Sequence, residues 1–195
     1  MQSKKSRIKY GEIVKGIFMA LAEANAAASA KVHPNIFVII DEIYEYIKEK
    51  SKAKIPKHKI RRAIKVLEKK NILYLEEKKD KVYVHIKDKK NIIVQKYSLK
   101  ALLDFKRKNK TWDGKWFLVI FDVPEKQKNK RDYMRRFLVD LGFYPYQKSV
   151  YIFPYECEKE VKLIKEIVEG THYMKYIIAQ NIEDEDHIKT FFKLK

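Results

Sequence analysis

Apolar positions along the chain follow two periods, and the changes between them mark out the elements. Over residues 7–30, Ile13, Ile17, Ala20, Leu21 and Ala24 recur at spacings of three and four, which predicts a helix with an alanine-rich end. Val32, His33 and Pro34 break it. From Asn35, which can cap a helix, Ile36, Phe37, Ile40, Ile43, Tyr44 and Ile47 trace a second helical stripe to about Lys50. A polar connection, Ser51 to Ile55, leads to Pro56, which suits the first turn of a third helix over residues 56–71. Its buried stripe is Ile60, Ala63, Ile64 and Leu67. The period then falls to two. Ile72 to Glu76 and Val82 to Ile86, separated by EKKD, read as a hairpin with Val82, Val84 and Ile86 inward and Tyr83 and His85 outward.

Residues 91–95 (NIIVQ) suit either another strand or the start of a connector, and Tyr97 to Asn109 is helical, with Leu99, Leu102, Leu103 and Phe105 on one side. The cations at its end suit the negative end of a helix dipole. Thr111 to Gly114 is turn-like, so the domains are placed at residues 1–95 and 115–195, with a connector helix and linker at 96–114. Beyond it, WFLVIF (Trp116 to Phe121) is an unbroken apolar run that stops at Asp122. A basic amphipathic helix ending at Gly142 follows, then short β-branched and aromatic runs at 143–146 and 149–153. Val161, Ile164 and Val168 have helical spacing, and MKYIIA (Met174 to Ala179) is strand-like again. The order β-α-β-β-α-β is the ferredoxin-like unit. Because WFLVIF does not alternate, both of its faces should be shielded from water. Two helices cover one face of such a sheet, so the other is expected to pack on a second copy, giving a homodimer through the sheet.

Charge sharpens this division. The net charge of the 195-residue chain is +18. Residues 1–110 hold 29 Lys or Arg against 12 Asp or Glu, net +17, and residues 111–195 hold 15 against 14. An electrostatic footprint confined to one half points to an anionic partner for that half. Within it, the third helix lines one face with His58, Arg61, Arg62, Lys65 and Lys69 and no acid, with Lys57 and Lys59 at its start. Three helices followed by a hairpin tipped with Lys78, Lys79 and Lys81 fit the winged helix-turn-helix plan, in which the third helix enters the major groove of double-stranded DNA and the wing meets phosphates. Arg61 and Arg62 are the candidates for base edges, because a guanidinium bonds guanine bidentately. A lysine-rich solvated face and a protein-binding winged helix are the competing readings.

FDVPE, then Arg131, Arg135 and Arg136 on the helix, then LGF and QKSVYIFP, resemble the Cas2-like fold, most closely the version in PaaX-type transcriptional repressors. The resemblance covers roughly the last 80 residues. It implies an α+β homodimer with basic winged-helix domains carried on a Cas2-like dimerisation core, binding operator DNA with no cofactor required. Cas2 proteins share the pattern and imply an alternative: Asp122 as catalytic residue and metal ligand, paired across a dimer, holding Mg2+ or Mn2+ for phosphodiester hydrolysis. In both groups the aspartate ends the first strand, where it also suits a cap on the next helix. PaaX-type repressors continue into a C-terminal region associated with an acyl-CoA effector, so no small-molecule effector carries over.

Other classes are disfavoured. Five glycines and no P-loop, G-x-G-x-x-G or Cys/His metal spacing leave no phosphate-cradling loop or zinc site. Cys157 is the sole cysteine, and no apolar run is long enough for a membrane span. A leader-like start, with AEANAAASA at its end, is interrupted by Glu12 and Lys15, so a cytoplasmic location is expected. The acids at Glu183 to Asp186 beside His187 suit a helix start better than a metal. A third possibility stacks RNA bases on Phe117, Phe121, Tyr151 and Phe153, against the near-neutral charge of that half.

Overall fold

In a computed structural model, which describes residues 10–28, 37–51 and 55–194, the helical run of the first third is broken by a strand. Its elements are α1 (Tyr10–Ala28), β1 (Phe37–Ile39), α2 (Ile40–Ser51) and α3 (Lys57–Lys69), then β2 (Leu73–Lys78), β3 (Lys81–Ile86) and α4 (Ile92–Asn109). The expected start of the second helix at Asn35 lies outside the described residues, and Phe37 is in β1 rather than in a helix. Phe-Val-Ile is a good strand sequence, and its backbone finds partners on β3, with Phe37 opposite His85 and Ile39 opposite Tyr83. The three-stranded sheet has the order β1-β3-β2, antiparallel throughout.

The core of this first unit joins Ile17 and Leu21 of α1, Ile43 of α2 and the predicted α3 stripe to Leu73 and Val84 of the hairpin. Gly16 lets α1 and α2 approach: a Cβ there would lie 2.7 Å from Cγ1 of Ile47. Asn71 adopts φ 55° just past α3, and Ile72 N–H donates to the Leu67 carbonyl at 3.1 Å, a left-handed stop that turns the chain into β2.

The hairpin departs from expectation in two ways. Its strands extend to Lys78 and Lys81, which pair, leaving only Lys79 and Asp80 as the turn. Both have positive φ, 46° and 61°, the geometry of a type I′ turn that matches strand twist. His85 is 5% exposed rather than outward in solvent. It lies in the central strand, where its ring stacks on Tyr74 with centroids 4.3 Å apart.

Residues 92–95 open α4 rather than form a strand, and the Asn91 side chain accepts from Ile93 N–H at 3.0 Å as its cap. The chain divides into two compact units within this helix, Met1–Ala101 and Leu102–Lys195.

The second unit runs β4 (Trp116–Phe121), a 3-10 turn (Glu125–Gln127), α5 (Lys128–Leu141), β5 (Tyr144–Gln147), β6 (Val150–Phe153), α6 (Glu158–Ile167), β7 (Met174–Ala179) and α7 (Glu185–Phe192). Its antiparallel sheet has the order β5-β6-β4-β7, so the predicted β-α-β-β-α-β order is observed. Gly142, at φ 98°, ends α5, and Phe143 N–H closes the turn on Leu138. One sheet face carries Phe117, Val119 and Phe121 with Tyr151, Phe153 and Met174, all buried.

The other face is only partly covered. Trp116 Nε1 donates to Glu185 at 2.8 Å, and Phe191 packs edge-on against Tyr144, so α7 shields one end. The expectation that this face lacks any cover from its own chain is corrected accordingly. Ile120 and Val150 remain half-buried beside Leu118, and Ile177 is 43% exposed.

Candidate nucleic-acid interface

The surface of α3 follows from its sequence period. With Ile60, Ala63, Ile64 and Leu67 buried, the residues between them must face out. His58, Lys59, Arg61, Arg62, Lys65 and Lys69 are all exposed. None of these six forms an ion pair with a described residue. Pro56 precedes the helix with extended φ and ψ, as the cap rather than within the first turn, and supplies no side-chain bond to it. No acid lies in the first turn, so the positive end of the dipole adds to the charge of the lysines.

Lys57 differs from its neighbours. Its ammonium pairs with Asp41 at 2.9 Å and lies 4.9 Å from the centroid of Tyr44, making it a strut between α2 and α3. That hydrogen bond and charge hold the Asp41 carboxyl below the usual carboxylate range, with a smaller contribution from Arg61.

At the hairpin tip, Lys79 and Lys81 are exposed and make no ion pair among the described residues. Lys78 does make one, donating to Glu76 at 2.6 Å. The other oxygen of Glu76 lies 2.8 Å from His85 Nε2. Lys78 and then His85 hold the Glu76 carboxyl low.

Asp122 is exposed just past β4, and its N–H donates to the Tyr173 carbonyl at 3.0 Å. The expected capping role is not observed. The 3-10 turn that follows begins after Pro124 with no side-chain cap, and the Asp122 carboxylate has no hydrogen bond among the described residues. No group of three or more His, Cys, Asp or Glu side chains that could hold a metal occurs among the described residues. Beside His187, Glu185 accepts from Trp116 Nε1 at 2.8 Å and from Lys189 of its own helix at 2.7 Å. Phe117, Phe121, Tyr151 and Phe153 are each at most 4% exposed, which removes the RNA-stacking platform. No helix among the described residues is long and apolar enough to cross a membrane.

Sequence reasoning did not anticipate Glu76. The sequence places it at the end of a strand, before a loop, whereas the longer hairpin puts it within β2, between Lys78 and His85.

Residues 109–190 match the family model described as the PaaX protein central Cas2-like domain. No curated protein matches the chain.

Proposed function

From a chain that carries a PaaX-type Cas2-like domain, we propose a homodimeric transcriptional regulator that binds duplex DNA through its N-terminal unit. The observation that carries this reading is the row of exposed cations on α3 that make no ion pair among the described residues. The order α1-β1-α2-α3-β2-β3 and the β1-β3-β2 sheet support a winged helix-turn-helix, with α3 in the major groove and Lys78, Lys79 and Lys81 at the wing. Arg61 and Arg62 read base edges, and His58, Lys59, Lys65 and Lys69 contact backbone. Lys57 acts through its strut to α2. The partly open apolar patch of Ile120, Val150 and Ile177 supports dimerisation through the four-stranded sheet. Such a dimer matches a palindromic site.

The test is a gel in which labelled duplex meets wild-type protein and Asp122→Ala, each with Mg2+ or Mn2+ and with EDTA. Intact DNA retarded equally in every lane, with affinity falling steeply as salt rises, is the expected result. Metal-dependent fragments lost in the variant would replace this reading by a nuclease whose metal site two copies build together. A monomeric mass at micromolar concentration would remove the dimer.

A further inference from the structure

The hairpin has one face packed on the core through Leu73, Leu75, Val84 and Ile86. The opposite face is three cross-strand pairs: Tyr74 with His85, Glu76 with Tyr83, and Lys78 with Lys81. Glu76 is the only acid on that face. It stands one pair behind the tip, where a wing would meet phosphate, and a carboxylate there opposes DNA. Its two oxygens are both committed, one to Lys78 at 2.6 Å and one to His85 at 2.8 Å. His85 is buried and stacked on Tyr74, so the carboxylate is anchored from behind and its other oxygen is presented to the tip. Lys78 is thereby the one tip lysine whose charge is already neutralised, while Lys79 and Lys81 have no such partner among the described residues.

We infer that Glu76 is a specificity-determining residue of the proposed DNA interface, holding Lys78 back from the phosphate backbone. Binding to arbitrary sequences comes almost entirely from backbone charge, whereas the affinity for a cognate site also draws on base contacts. Withholding one phosphate-binding cation lowers the first more than the second. Discrimination then rises at the expense of raw affinity, as it does when a repulsive element is built against the wrong partner. The inference rests on the DNA-binding reading above.

The test measures affinity for a mixed-sequence duplex across a salt series, with thermal unfolding as a check on folding. Glu76→Gln keeps the shape and removes the charge. Its affinity is expected to rise several-fold, and the slope of log K against log salt to steepen by about 0.9, one added phosphate contact. The double variant Glu76→Gln, Lys78→Gln should return to the wild-type slope. Lys78→Gln alone, which does not depend on Glu76→Gln folding, should leave the slope where it was. If Glu76→Gln weakens binding or leaves the slope unchanged, or if Lys78→Gln alone flattens it by about 0.9, Lys78 already sits on phosphate and the inference is overturned. If the wild-type protein retards no duplex at low salt, the DNA-binding reading itself fails and takes this one with it.

Discussion

Two helices of this chain, α3 and α5, are both basic, both amphipathic and nearly equal in length, yet they spend their charge differently. On α5, Arg131 donates to Glu125 at 2.6 Å, Arg135 to Asp132 at 3.2 Å and to the Lys148 carbonyl at 2.8 Å, and Lys130 lies 3.7 Å from Glu169 and 5.3 Å from the Tyr173 ring. On α3, only Lys57 has such a partner among the described residues. Three of the five cations of α5 are held by neighbouring acids or carbonyls, with Lys128 and Arg136 left exposed, whereas on α3 the exposed cations outnumber the held one. Counting cations along the sequence ranks the two helices alike. Asking which cations already have an acid or a carbonyl separates them.

The largest effect should come where the helices are the same. Ile64→Ala and Met134→Ala each empty a fully buried site, and each is expected to cost about 2–5 kcal/mol of stability in denaturant unfolding. Their exposed faces should then part company. Arg61→Ala is expected to cost about 1–3 kcal/mol of binding at one base position while leaving the melting temperature alone. Uniform weakening across sequences would make it a backbone contact instead. Arg135→Ala should do the reverse, losing about 1 kcal/mol of stability and no DNA affinity. If Arg135→Ala weakened binding as Arg61→Ala does, the contrast between the helices would be false.

Acid provides a smaller test of charge spent inside the second unit. Bonds from Lys189 and then Trp116 hold the Glu185 carboxyl below its ordinary value. The folded form therefore gains stability above the unfolded carboxyl pKa of about 4.3, and loses it as pH falls through the lower folded value. Tryptophan emission, which comes only from Trp112 and Trp116, should report the release of α7 in acid. Glu185→Gln should remove that titration. The smallest effect is expected at the wing: Lys79→Asn with Asp80→Gly puts residues suited to positive φ into the turn, raising stability by about 1 kcal/mol in thermal unfolding without altering the α3 surface.

Where periodicity was strong, the sequence was a faithful guide. The stripe of Ile60, Ala63, Ile64 and Leu67 is buried as read, and Trp116 to Phe121 is a strand shielded over most of both faces. The misses have physical causes. Phe37 to Ile39 is a strand of three residues, shorter than one period of any pattern, and its place depends on pairing with β3 far along the chain. His85 looks polar in isolation but sits in the middle strand, where its ring stacks on Tyr74 and its Nε2 meets Glu76. Asp122 fits a helix cap by position, yet Pro124 and a 3-10 turn intervene before α5 begins. In the same way, α7 reaches back to Trp116 across 69 positions of chain, a contact that no local pattern announces.

The division between the two units lies between Ala101 and Leu102, inside α4 rather than in a loop. Dissecting the protein there would sever a helix whose Ala101 is buried in the first unit and whose Lys106 makes a largely buried ion pair with Glu160 in the second. A gene fragment for either half must therefore carry the whole of Ile92–Asn109, so that the two halves are not separable pieces but overlapping ones that share eighteen residues.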